Sequence, residues 1–258
     1  MSSVDLMKLI QRNVLSLEPY HVEDNDCEIK LHANENPFPP SKELLDLFSA
    51  SLQKLQLNRY PDPDSKALKD SIANRLDIKT ERLVIGNGSD EIILFLLQVF
   101  CQEGDTIIFP EPTFAMYSII AQSLSIKSAS ISLDSQWNFN ADVLLRSAEE
   151  NNSRIIFLSY PNNPTGNCFS DIQVQKVIES FQGIVVIDEA YHDFSRKSFI
   201  NQIEEHNNLV VLRSLSKIGL AALRVGFGVA DPLVINEINK VRLPYNSNTI
   251  SQTFAEHL

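Results

Sequence analysis

Several side chains that could do chemistry lie close together near the C-terminal end of the chain, where residues 210–228 read VVLRSLSKIGLAALRVGFG. An apolar run ends at Ser214, and Ser216, Lys217 and Arg224 follow it. Hydroxyl and guanidinium groups suit a phosphate, and a lysine amine walled in by protein can lose its proton and form a Schiff base with a carbonyl. The same residues could also be a strand-to-turn junction whose polar groups face water, because short motifs match by accident.

A second candidate is a carboxylate, Asp188, in the stretch VVIDEAY. It follows four apolar residues, so it is either partly buried or a strand-end residue that caps the next helix. An unpaired buried charge is costly, so a buried Asp188 would need a cationic partner.

A glycine-rich turn, GNGSDE, occupies residues 86–91. Its glycines and Ser89 come directly before a helical pattern. The positive N-terminal end of a helix attracts anions through free backbone N–H groups. Asp90 and Glu91 could instead complement the dipole of that helix. By itself the turn is weak evidence for a phosphate site.

These groups need a scaffold, and the chain predicts one. Short apolar runs of strand type (TIIF, RIIFLSY, GIVVIDEA and NLVVLRS) alternate with helical stretches. This alternation indicates a parallel sheet covered on both faces. Polar residues follow successive strands: Asn163 after one, Asp188 and Tyr191 after the next, and Lys217 after the last. Ligands of open α/β sheets bind beyond the carboxyl ends of the strands, so we expect these residues to share one site.

Composition excludes several classes of function. The net charge of −11 argues against a nucleic-acid or anionic-membrane binder, which would need clustered Lys and Arg. Three widely spaced cysteines form neither a disulfide framework nor a metal-ligand pattern, and the five histidines show no HExxH spacing, so no metal site is expected. The N-terminus has no signal-peptide pattern, and the longest apolar run is too short to span a bilayer. The protein is expected to be cytoplasmic.

Seven motifs carry a resemblance to a known family. YPNNPTG, VVIDEAY and SLSK…LR, in this order, resemble fold-type-I pyridoxal-phosphate (PLP) aminotransferases. LHANENPFPP, RYPDPDSKALKDSIANRL, GNGSDEIILFLLQVF and EPTFAMY narrow the resemblance to the histidinol-phosphate aminotransferase family. It extends from about Tyr20 to the last residues. It implies an α/β large domain with a mostly parallel seven-stranded sheet between helices.

The resemblance implies roles for the residues already singled out. Lys217 would attach PLP covalently and move a proton on the substrate, Asp188 would pair with the pyridinium nitrogen, and Asn163 and Tyr191 would hydrogen-bond the ring hydroxyl oxygen. The cofactor phosphate would be held by hydroxyl, guanidinium and backbone groups: Ser214, Ser216, Arg224, Ser89 and Asp90.

Four further positions follow from the resemblance. Phe114 would stack on the ring, although it could also be a core residue, and Asn34 and Tyr20 would lie near the substrate. Tyr60 would reach the cofactor phosphate of a partner subunit, which implies a homodimer.

The implied reaction is transamination between L-histidinol phosphate and 2-oxoglutarate, a step of histidine biosynthesis. Alternatives are an aromatic aminotransferase, a threonine-phosphate decarboxylase, or a truncated, non-catalytic remnant. The family continues into a C-terminal small domain with substrate-binding arginines, and that domain is absent from these 258 residues. The interval between Lys217 and Arg224 is also one residue shorter than in many relatives. We expect an N-terminal arm at 1–40, a PLP-binding large domain at 41–245, and the start of the connection to the small domain at 246–258.

Overall fold

The computed structural model describes residues 4–19 and 28–257, and they are organised around one seven-stranded sheet. Its strands in chain order are β1 (Leu83–Asn87), β2 (Thr106–Glu111), β3 (Lys127–Ser132), β4 (Ser153–Ser159), β5 (Ile184–Asp188), β6 (Leu209–Ser214) and β7 (Val225–Ala230). The order across the sheet is β1-β7-β6-β5-β4-β2-β3. Only β7 runs against its neighbours, pairing antiparallel with both β1 and β6. This confirms the predicted α/β class with a mostly parallel sheet.

Helices connect most of the strands. Those of the described residues are α1 (Arg12–Leu15), α2 (Lys42–Leu52), α3 (Lys66–Leu76), α4 (Ser89–Phe100), α5 (Met116–Ser123), α6 (Ala141–Glu150), α7 (Asp171–Ser180), α8 (His192–Ser195), α9 (Pro232–Val241) and α10 (Thr249–Ala255). Several helices have an N-cap side chain that accepts hydrogen bonds from backbone N–H groups of the first turn, which have no partner within the helix. These N-cap residues are Ser41, Asn140, Asp231 and Asn248.

Helix α2 is shorter than its sequence pattern predicts. The stretch SKELLDLFSASLQKLQ, residues 41–56, has Leu and Phe at helical spacing and predicts a capped amphipathic helix, but the helix ends at Leu52. Phe48 is its only buried residue, and its ring stacks on that of Phe254 in α10 at 4.3 Å between centroids. Packing therefore stabilises the turns around Phe48 and not the extension, and short helices depend on such packing.

The core consists of two apolar layers, one on each face of the sheet. One layer joins alternate strand residues to α4, α5 and α9, and the other joins the remaining strand residues to α3, α6, α7 and α10. In β5, Val185 and Ile187 belong to one layer, and Ile184 and Val186 belong to the other. Burial on both faces explains why the central strands read as continuous apolar runs.

This architecture brings the carboxyl ends of β4, β5 and β6 to one edge of the sheet. At the same edge, β1 turns directly into α4 through Gly88, the N-cap residue of that helix. No helix within residues 4–19 and 28–257 is long and apolar enough to cross a membrane. The same residues contain no cluster of three or more His, Cys, Asp or Glu side chains placed to hold a metal ion.

Candidate active site

A cavity of about 620 Å³ lies at the carboxyl edge of the sheet. Most of the residues predicted for the site line it: Asn34, Ser89, Asp90, Phe114, Asn163, Asp188, Tyr191, Ser214, Ser216, Lys217 and Arg224. Residues 32–35 of the N-terminal segment complete the wall, although they are far from the sheet in the chain. Of the other two predicted residues, Tyr60 does not line the cavity, and Tyr20 lies outside the described residues.

Asp188 forms the buried end of the cavity. It is the last residue of β5, and only 3% of it is exposed. Its Oδ2 accepts a hydrogen bond from the Tyr117 hydroxyl at 2.8 Å, and its Oδ1 accepts one from the backbone N–H of Ala190 at 3.1 Å. Burial raises the pKa of Asp188 to about 6, although both hydrogen bonds act in the opposite direction. Both donors are neutral, so the carboxylate has charge available for a cation in the cavity.

Lys217 lies in a 3₁₀ turn, Leu215–Ile218, directly after β6. Its Nζ donates a hydrogen bond to the backbone oxygen of Ala33 at 2.9 Å and lies 5.6 Å from the centre of the Tyr191 ring. Burial lowers the pKa of this amine, and the positive charge of Arg224 lowers it further, whereas nearby carboxylates oppose the shift. A lowered pKa increases the fraction of the amine that is unprotonated near neutral pH and so able to act as a nucleophile or base.

The opposite wall is formed by Tyr191 and the loop after β4. The Tyr191 hydroxyl accepts a hydrogen bond from Asn34 Nδ2 at 2.9 Å, which ties the N-terminal segment to the third residue after β5. In YPNNPTG, the first asparagine, Asn162, is buried and bonds to Thr113 Oγ1, the backbone oxygen of Pro112 and Thr165 Oγ1. These bonds fix the loop so that the second asparagine, Asn163, faces the cavity.

Groups of the kind that bind anions also line the cavity, and we call this part the anion end: Ser89, Ser216 and Arg224. Ser89 begins the twelve-residue helix α4, whose N-terminal N–H groups attract negative charge. Arg224 lies beside it, with Nη1 3.5 Å from Ser216 Oγ and Nη2 3.6 Å from Asp90 Oδ2. Ser214 Oγ accepts the backbone N–H of Ser216 at 3.1 Å and so shapes the turn between them.

Two glycines allow the chain segments of the anion end to pack closely. A Cβ atom on Gly88 would lie 2.5 Å from Arg224 Nη2, and Gly88 has φ +87°, a conformation that side-chain-bearing residues rarely adopt. A Cβ atom on Gly226 would lie 2.3 Å from the backbone nitrogen of Ser89. Glycine at both positions is therefore needed for the close approach of β7, α4 and Arg224.

Tyr60 is separate from this cavity. It is 81% exposed, and its ring stacks on that of Tyr245 at 4.6 Å between centroids. Within one chain it makes no part of the cavity wall.

Sequence reasoning missed two groups beside the site. Tyr117 was within the quoted motif EPTFAMY, but it lies in the first turn of α5 while Phe114 precedes that helix, so no periodic pattern linked the two. Glu189 is fully buried and pairs with Arg213 at 3.0 Å while accepting bonds from Ser198. This pair ties the ends of β5 and β6 beside Asp188 and Ser214.

Comparison with known proteins agrees with the fold and with the motifs. A model of the family described as aminotransferase class I and II matches residues 27–258. Histidinol-phosphate aminotransferase 2 of Nitrosococcus oceani is 39% identical over 96% of this chain and 69% of its own length. Histidinol-phosphate aminotransferase of Flavobacterium johnsoniae is 39% identical over 99% of this chain and 72% of its own length.

Solved structures show the same fold. Histidinol-phosphate aminotransferase of Sinorhizobium meliloti, in complex with pyridoxal-5'-phosphate, matches with a TM-score of 0.80 at 20% identity, over 87% of this chain and 62% of that one. An aspartate aminotransferase of Thermus thermophilus matches with a TM-score of 0.83 at 17% identity, over 96% of this chain and 70% of that one. The chain belongs to the class I and II aminotransferases and, by its similarity to curated relatives, to the histidinol-phosphate aminotransferases within them.

Proposed function

We propose that the full-length protein carrying this chain is a PLP-dependent aminotransferase that converts L-histidinol phosphate and 2-oxoglutarate to imidazole-acetol phosphate and glutamate in histidine biosynthesis. The single observation that supports this most is the placement of Asp188 and Lys217 in one cavity whose far end is an anion site. The substrate is inferred from curated relatives named for it at 34–39% identity.

The residues present fit PLP. Asp188 is a buried carboxylate whose hydrogen bonds come from neutral donors, so a pyridinium nitrogen would supply the missing countercharge. Gly88 and Gly226 let Arg224 and β7 approach the start of α4 closely, and this brings a guanidinium to a helix N-terminus, as suits a phosphate. Lys217 lines the same cavity, with an amine whose pKa is lowered by burial.

When bound, PLP supplies an electron sink for the substrate's Cα electrons. Asp188 would hold a proton at the ring nitrogen, and Asn163 and Tyr191 would hydrogen-bond the ring hydroxyl oxygen. Lys217 Nζ would attach the cofactor and serve as the base for the proton at the substrate Cα. The phosphate would be bound by Arg224, the hydroxyls of Ser214 and Ser216, and the backbone N–H groups of Ser89 and Asp90.

The remaining cavity residues orient the reactants. Phe114 lines the cavity and would stack on the ring. Asn34, which donates a hydrogen bond to Tyr191, would lie near the substrate together with the segment around Ala33. We place Tyr20 on the same side from the family resemblance alone.

We also propose a homodimer in which Tyr60 serves the cofactor phosphate of the partner subunit. Its side chain is 81% exposed although it is aromatic, and Tyr245 supports its ring from behind. A rigid, exposed aromatic residue with a polar tip is well suited to an interface.

The function is tested by glutamate formation from L-histidinol phosphate and 2-oxoglutarate. We expect kcat/KM to exceed that for L-histidinol or phenylalanine by several orders of magnitude, because a site that pairs a dianion leaves its cations unpaired with other substrates. Equal rates with phenylalanine would make the protein an aromatic aminotransferase. Borohydride reduction of the PLP-loaded protein should leave the pyridoxyl label on Lys217, and a label on another lysine would overturn the cofactor assignment.

A further inference from the structure

We propose that Tyr117 is a positioning residue that acts through Asp188 to set how tightly the site binds the ring nitrogen of PLP. The inference rests on the proposed function in one respect, namely that PLP is the ligand of this cavity. It concerns a residue that does not line the cavity itself.

Tyr117 is held rigidly behind the site. It lies in the first turn of α5 and has no exposed surface. Its ring stacks on Phe157 of β4 at 4.7 Å with an interplanar angle of 15°. It also meets the Phe114 ring edge-on at 5.5 Å and 85°. The only freedom left to this side chain is rotation of the hydroxyl hydrogen.

The hydroxyl is directed at Asp188. Its oxygen lies 2.8 Å from Oδ2, and the pair is separated by 71 residues in the chain, so the sheet and α5 bring them together. A buried hydroxyl without a partner would be costly, and here the partner is a carboxylate, with which hydrogen bonds are the stronger kind. Tyr117 and the Ala190 N–H together bond one oxygen each and so fix the plane of the carboxylate.

The charge around Asp188 explains why this bond matters. Burial disfavours its ionised form, and the carboxylates of Asp90 and Glu189 disfavour it further. The Tyr117 hydrogen bond is the largest influence in the other direction. Without it, the carboxylate would be both less fixed in orientation and less able to hold the negative charge that a ring nitrogen pairs with.

The contact between Tyr117 and Phe114 also supports a positioning role for Tyr117. Phe114 lines the cavity where the ring is expected to bind, and the Tyr117 ring packs against it edge-on. Tyr117 thus contacts the group proposed to face the ring and the group proposed to pair with its nitrogen. A phenylalanine at 117 keeps the first contact and removes the second.

The experiment compares two ligands that differ at one atom. Dissociation constants of PLP and of its 1-deaza analogue, in which carbon replaces the ring nitrogen, are measured with the cofactor-free protein by equilibrium dialysis. Tyr117→Phe should weaken PLP binding about tenfold, the effect of one lost hydrogen bond to a charged group, and leave the analogue unchanged. Tyr160→Phe is the matched control, since Tyr160 is also buried but donates to Asp171, and it should change neither constant.

The dissociation constants distinguish a positioning role of Tyr117 from a packing role. Equal weakening of both ligands by Tyr117→Phe, or no weakening of PLP, would overturn the inference and leave Tyr117 a packing residue. If wild-type protein binds no PLP, the proposed function fails instead. If the phenylalanine variant does not fold, 3-fluorotyrosine at position 117 keeps the packing and strengthens the donor. It should then favour PLP over the analogue, and an unchanged ratio would overturn the inference.

Discussion

Lys217 Nζ donates a hydrogen bond of 2.9 Å to the backbone oxygen of Ala33, a residue 184 positions earlier in the chain. The amine proposed to attach PLP is therefore held by the N-terminal segment and not by a side chain of the sheet. Asn34, the next residue, donates to the Tyr191 hydroxyl at 2.9 Å. Two adjacent residues of this segment thus contact two groups of the proposed catalytic machinery.

This arrangement makes the N-terminal segment part of the site. A backbone carbonyl accepts a hydrogen bond from an amine in either charge state, so the contact fixes the position of Nζ without supplying a countercharge. The countercharges come from carboxylates, Asp90 and Glu35 foremost, and they oppose the pKa lowering that burial produces. The position of Lys217 and its charge state are therefore controlled by different groups.

Asp188 and Tyr191 are expected to respond unequally to substitution. Asp188→Asn should remove most of the activity of the full-length enzyme, because a neutral amide cannot hold the pyridinium proton by charge. Tyr191→Phe removes one hydrogen bond, on the order of 1 kcal/mol, so kcat should fall only several-fold. Steady-state kinetics of both variants check this. Near wild-type turnover by Asp188→Asn would contradict the pyridinium role.

The stability of the cofactor-free protein should depend on pH through Asp188. Burial raises its pKa in the folded state to about 6 from the usual 3.8, so the folded state binds the proton more tightly than the unfolded state. Stability from this group is therefore full at pH below about 4 and is lost as pH rises to about 6. The loss is on the order of 2 to 3 kcal/mol, because each tenfold difference in proton affinity between the two states corresponds to about 1.4 kcal/mol.

Urea unfolding of wild-type and Asp188→Asn protein across the mildly acidic to neutral range measures this contribution. The asparagine variant should gain stability relative to wild type as pH rises, because it has no carboxylate to ionise, and titrating groups remote from position 188 cancel in the difference. A difference that is independent of pH would show that Asp188 does not titrate in this range.

Much of the sheet and of the cavity could be predicted from the sequence, for physical reasons. Strands buried on both faces read as continuous apolar runs, and residues at or shortly after the ends of such strands, like Asp188 and Asn163, meet at one edge. The antiparallel strand β7 was not predicted, since Val225–Ala230 reads like any other buried strand and its direction depends on the length of the preceding turn.

What could not be predicted depends on contacts between distant residues. The bond of Lys217 to Ala33 and that of Tyr117 to Asp188 join residues far apart in the chain, and no local pattern encodes them. Burial of Glu189 with Arg213 is of the same kind, because its partner lies on the neighbouring strand. The division of the chain at residues 40 and 245 stays a prediction.

Shared-site geometry should allow complementation between inactive variants. If Tyr60 and Lys217 serve one pocket from different chains, a heterodimer of Tyr60→Ala and Lys217→Ala has one pocket free of both substitutions. Mixing the two full-length proteins should restore activity, up to about half of that per wild-type dimer at complete heterodimer formation. Recovery is measured after subunit exchange has been demonstrated with labelled protein. No recovery under exchange would mean that each site is built within one chain.

Affinity for PLP should depend on glycine at position 88 for two reasons. One is the positive φ of this residue, and the other is the contact that a Cβ would make with Arg224. Gly88→Ala and Gly104→Ala place a Cβ at nearly the same positive φ, +87° and +89°, so both should lose folding stability, on the order of 1 to 3 kcal/mol. At Gly104 nothing lies within 4 Å of the added carbon, whereas at Gly88 it would lie 2.5 Å from Arg224 Nη2 and displace the guanidinium. Only Gly88→Ala should therefore weaken the binding of PLP. The same variant should weaken the binding of pyridoxal, which lacks the phosphate, much less. Thermal unfolding and equilibrium dialysis of both variants measure the two effects, and equal PLP affinity in the two variants would contradict the assignment of Arg224 to the phosphate.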